Sequence, residues 1–139
     1  MDKLKSIFSG RPVWMNLMML FCAYMTFIYM PYDLFYKPVD QDEEVWFGIM
    51  LHGWMAKATA PVHLAIYGAG FYGFLKMRSW MHPWAALYVF QVAIGMGVWP
   101  WLYQDTSPLL SAVISVPFVI LGMMLLRARL QFNNMETGI

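Results

Sequence analysis

The sequence predicts an all-α membrane protein, four transmembrane helices in a bundle with an interfacial or kinked extension before the second helix. Three observations lead there. Of the 139 residues, 60% are hydrophobic and 12% charged, about half the charge fraction of an ordinary soluble domain. Four apolar stretches come close to the ~20 residues that a helix needs to cross the hydrocarbon core. Lys and Arg also collect on one side of those stretches, as they do toward the cytoplasm in membrane proteins.

The stretches run from about Val13 to Met30, Ala60 to Leu75, Pro83 to Tyr103 and Pro108 to Leu126, in one domain over residues 1–139. They lack the two-residue alternation of barrel strands, which leaves helices as the way to satisfy the backbone in lipid. The first follows Lys3, Lys5 and Arg11 as a signal peptide would. Its apolar run is long and no small-x-small cleavage site follows, so it reads as an uncleaved span. The segment Val45 to Lys57, VWFGIMLHGWMAK, is too long to share a span with the second stretch. Thr59 and Pro61 mark a helix start or kink, so Glu44 to Lys57 is expected as a helix on the outer interface, or as an outward extension of helix two. The residues from Asn133 to Ile139 read as a frayed polar tail.

Charge sets the expected topology. Seven of the nine Lys and Arg flank the chain start, the turn between spans two and three, and the end of span four, so both termini are expected in the cytoplasm. Asp33, Asp40, Asp42, Glu43, Glu44 and Asp105 fall on the other side with Lys37 and Lys57. A net charge of +1 and a pI near 7.9 give no basic surface for a nucleic-acid partner. The single cysteine, Cys22, lies in an apolar run and forms no internal disulfide.

Polar groups at membrane depth turn inward, because lipid leaves them unpaired. Asn16 and Thr26 in span one, Asp33 just after it, Thr59 and His63 in span two, Gln91 in span three and Ser111 and Ser115 in span four are such groups. Asp33, Thr59 and His63 fall in the outer half, which suggests a pocket opening toward that side. Asp33 is expected to meet a donor, with Lys57, Thr59 and His63 at similar depth. Small residues at Ala65, Ala69 and Gly73, and at Ala93 and Gly97, suit close helix packing. His52 and His63 would stand about 16 Å apart on a continuous helix, too far to share an ion, so neither a metal nor a haem is expected.

Several ordered motifs carry a resemblance. Asp33-Leu34 closes span one, Trp54-x-Ala56-Lys57 follows the acidic loop, Tyr72 to Lys76 reads YGFLK at the end of span two, and Pro117 interrupts span four before basic residues. In these features the chain resembles the EXPERA family, the four-span membrane domain of emopamil-binding protein and the sigma-2 receptor. The resemblance implies an intramembrane pocket for a sterol, lipid or amphipathic cation, with Asp33 as a ligand contact. The family's isomerases use a His and acidic residues within the spans, where this chain has Leu20 and Tyr24 in span one and Thr59 and His63 in span two. Three functions remain open on the sequence: a binder of a membrane lipid or sterol-like ligand through Asp33, Thr59, His63, Gln91, Tyr24 and Lys57; an accessory subunit with a homodimer or membrane-complex partner; and a lipid isomerase-type enzyme using Asp33 and His63, with no cofactor.

Overall fold

Apolar periodicity and its breakers account for most of the architecture. A computed structural model describes residues 2–136. Helix α1 (Asp2–Phe8) leads to α2 (Val13–Phe35), a hairpin of β1 (Glu43–Trp46) and β2 (Ile49–His52), then α3 (Trp54–Lys76), α4 (Met81–Tyr103), α5 (Pro108–Arg127) and α6 (Arg129–Glu136). Helices α2, α4 and α5 are long and apolar enough to cross a membrane. Helix α3 has 23 residues, and its glycines, tyrosines and His63 make it less apolar.

Helix α2 buries Met15, Met19 and Cys22, one stripe at helical spacing. It widens to a π turn over Met25–Tyr29, immediately before Pro31, whose missing N–H interrupts the regular ladder. Beyond it Met30 and Asp33 are buried, and the helix runs on to Phe35.

The segment after the acidic loop corrects the expected interfacial helix. Residues 43–52 form an antiparallel hairpin in which Glu44 faces Leu51 and Trp46 faces Ile49. The two-residue turn Phe47-Gly48 has φ of 52° and 87°, the positive values of a tight hairpin turn whose twist matches its strands. A Cβ on Gly48 would come within 2.3 Å of Val98 Cβ, so the turn is wedged against α4. The hairpin packs against both α3 and α4.

Helix α3 therefore begins at Trp54, before the expected start at Ala60, and carries Pro61 inside it. It ends where Met77 turns left-handed and the Arg78 N–H donates to the Gly73 carbonyl at 2.9 Å. Helix α5 begins with Ser107, whose hydroxyl accepts from the Leu110 N–H at 3.2 Å, and with Pro108 in its first turn.

Small residues set the helix contacts. A Cβ on Gly70 would meet Cys22 Sγ at 3.1 Å, joining α3 to α2, and one on Gly122 would meet the Phe90 ring at 2.6 Å, joining α5 to α4. Gly73 packs under Met81, whereas Ala69 lines a cavity. At the end of the molecule holding the helix α3 C-terminus, the Arg11 guanidinium donates to the Phe74 and Leu75 carbonyls at 2.9 and 2.8 Å. Phe132 of α6 is fully buried there, 6.0 Å from the Phe74 ring. The expected frayed tail is helical through Glu136, because Phe132 anchors it to the core; residues 137–139 lie outside the described residues.

Candidate functional site

The second end of the molecule holds two buried carboxylates beside two partly buried ammoniums. Asp33 and Asp42 are 2% and 1% exposed. Lys37 Nζ lies 3.1 Å from Asp33 Oδ1, an i,i+4 pair, and 3.1 Å from Asp42 Oδ1. Lys57 Nζ stands 3.2 Å from Asp42 Oδ2, and donates to the Lys37 carbonyl at 2.9 Å and to the Asp33 carbonyl. The contacts of Asp42 are ion pairs at salt-bridge distance without hydrogen-bond angles. Two acids and two bases cancel, which is how such groups survive burial. Burial works to lower the Lys37 pKa, but its contacts with Asp33 and Asp42 outweigh it and hold the ammonium protonated above the ordinary lysine range. The quartet clamps the end of α2 and the loop before β1 onto the first turn of α3.

A second acid–base pair lies deeper. Glu44 of β1 meets His63 Nδ1 through Oε2, both groups buried. Trp46, two residues along the same strand, stacks on the imidazole at 4.0 Å with the planes 2° apart. One strand thus fixes both the partner and the orientation of His63, nine residues into α3. One helical turn farther on, the Tyr67 ring centroid is 6.1 Å from that of His63, and the Tyr88 hydroxyl of α4 donates to the Tyr67 hydroxyl at 3.2 Å.

Those tyrosines sit between two cavities. The larger, about 660 Å³, is walled by apolar side chains of α2, α3, α4 and α5 and by Trp46 and Phe47 of the hairpin. The smaller, about 270 Å³, is lined by His63, Val45, Gly95, Met96 and Trp99. Tyr67, Tyr88, Gln91 and Val92 belong to both walls and form the neck. Phe21, Trp84 and Leu87 line the larger cavity and are also about half exposed or more, so it opens sideways between α2 and α4. No known protein family, curated protein or solved structure matches this chain.

The residues singled out from sequence divide between these features. His63 and Gln91 line the smaller cavity. Asp33 and Lys57 join the charge quartet and line neither cavity, because each already has its counter-charge or carbonyl acceptors. The Thr59 hydroxyl donates to its own helix at the Ala56 carbonyl, 2.9 Å away. Tyr24 is 48% exposed and leans toward Tyr29. Among the described residues no three His, Cys, Asp or Glu side chains come together as a metal site.

Sequence reasoning missed Glu44, Trp46, Tyr67, Tyr88 and Trp99. Glu44 and Trp46 both stood in the segment expected as a helix on the outer interface, where neither would meet His63. Tyr67 and Tyr88 carried the readable signal, two polar tips inside apolar helices, since a buried Tyr hydroxyl finds a partner.

Proposed function

We propose that the chain crosses the bilayer four times, through α2, α3, α4 and α5, and holds a lipid-like amphiphile in the larger cavity. The observation that carries this is the cavity itself. About 660 Å³ falls within the ~300–1,000 Å³ typical of small-molecule sites, and apolar walls with a few convergent polar groups are their usual character. The ligand's body lies among Met18, Phe21, Phe118 and Leu121, and its head reaches the neck. The short motifs shared with the EXPERA family support the same reading. Both termini are placed on the cytoplasmic side by the basic residues that flank them.

Native mass spectrometry of protein extracted from its own membrane tests this. The wild type is expected to retain an amphiphile of a few hundred daltons, and Ala69→Phe, which adds bulk at the cavity wall, to lose it while melting at or above the wild-type temperature. Retention of the same mass by both proteins would place the ligand elsewhere. A wild type that binds no amphiphile would remove the reading. The Glu44–His63 pair beside the neck favours one second reading, acid–base chemistry on the bound lipid, with Glu44 rather than Asp33 partnering His63.

A further inference from the structure

Resting on that reading, we propose that the ligand's head is a neutral carbonyl, as in a keto-sterol or a prenyl quinone, received at the neck by the Tyr67 hydroxyl. The argument begins with charge. Neither cavity has a carboxylate, an ammonium or a guanidinium in its wall. Asp33 and Asp42 are held by Lys37 and Lys57, and Glu44 is taken by the imidazole of His63. An amine or a carboxylate head would shed its water on entering and find no counter-charge, a loss that a neutral head avoids.

Hydrogen-bond capacity then separates the neutral heads. Tyr88 donates to Tyr67, which leaves the Tyr67 O–H hydrogen to be placed. Trp46 and Trp99, one in the wall of each cavity, bury indole N–H groups that have no acceptor. An indole nitrogen only donates. Gln91 in the same wall brings one carbonyl acceptor and two N–H donors, so the surroundings of the neck remain short of acceptors, and burying a donor without one is costly. A carbonyl supplies two lone pairs and no hydrogen. An alcohol would add a donor to a region that already has too many.

The test is binding of a matched series to the full chain in nanodiscs, read from the fluorescence of the tryptophans around the cavity. Cholestenone, cholesterol, cholestane and amino-cholestane share one body and differ in the head, and a short prenyl quinone carries the same carbonyl on a different body. The ketone is expected to bind roughly tenfold more tightly than the hydrocarbon or the amine, the scale of one well-made hydrogen bond. Tyr67→Phe is expected to erase that ratio without weakening the hydrocarbon. If Tyr67→Phe does not fold, the infrared carbonyl stretch of cholestenone bound to the wild type is expected to lie below its position in lipid alone, as a hydrogen-bonded carbonyl does, and an unshifted band would overturn the carbonyl head. An amine that binds as tightly as the ketone, or a ketone preference untouched by Tyr67→Phe, would overturn the carbonyl head and leave the cavity reading intact. Failure of every member to bind would overturn the cavity reading and this inference with it. Preference for the quinone over cholestenone would identify a flexible prenyl body, and the reverse a rigid sterol one; either supports the carbonyl.

Discussion

Asp42 shows what a single carboxylate does in this molecule. Its side chain is fully buried between Lys37 and Lys57, so Asp42→Ala leaves Lys37 with Asp33 alone and Lys57 with backbone carbonyls and no carboxylate. Breaking a buried pair costs about 3–5 kcal/mol, and unfolding of the variant in detergent should show a loss of that order. Glu43→Ala is the control, since Glu43 and His52 are both more than half exposed and such surface pairs contribute little. Lys37 adds a sign to the pH dependence. Its pKa is raised on folding, so its stabilisation is complete below the ordinary lysine value of about 10.4 and is lost only as pH rises through the raised one. Across neutral pH this group contributes a constant amount. The need of Asp33 for a donor was legible, because a carboxylate at the edge of an apolar bundle must be paired. The donor is Lys37, four residues on, and not the expected Thr59 or His63, while Lys57 reaches only the Asp33 backbone carbonyl. The role of Glu44 was not legible, since nothing local distinguishes it from Glu43 beside it.

Among the elements, the hairpin was hidden and the long helices were not. Runs of apolar residues with no alternation read directly as helices, and Val13 and Pro108 do begin two of them, while the third begins at Met81, two residues before the expected Pro83. Residues 45–51 form an equally apolar run, and apolar residues stand at the exposed as well as the covered positions of the strands, Ile49 being about half exposed, so the period of two that marks a half-exposed strand never appears in the sequence. Phe47-Gly48 was the remaining signal. Gly48 has φ of 87° and no room for a Cβ beside Val98. Gly48→Ala is expected to destabilise the protein by about 1–3 kcal/mol through overpacking, with backbone strain added. Val98→Ala in the same chain should recover the overpacking part and leave the strain. Melting temperatures of the two single variants and the double variant check this, and a purely additive result would place the turn away from α4.

For the molecule as a whole, the two ends differ in chemistry. Arg11, the end of α3 and Phe132 of α6 meet at one end, and the Asp33–Lys37–Asp42–Lys57 quartet gathers at the other. The distribution of Lys and Arg, a property of loops that needs no tertiary contact, is what the proposed orientation rests on. A pocket was legible from the inward polar groups, but its place was not, because a gap between helices depends on how far apart their axes stand. It was expected to open to the outer side around Asp33, Thr59 and His63, whereas the larger cavity opens sideways between α2 and α4 and neither Asp33 nor Thr59 lines it. In a Cys22→Ala background, a membrane-impermeant maleimide applied to intact cells is expected to label Asp105→Cys and to reach Ser6→Cys only after lysis. The reverse pattern would invert the proposed topology. The sideways mouth between Phe21 and Trp84 carries one more consequence on the proposed reading. A ligand arriving there comes from the lipid phase, so occupancy follows its mole fraction in the bilayer rather than its concentration in water. Diluting the protein with more lipid at fixed total ligand should then empty the site, while diluting with buffer should leave it filled.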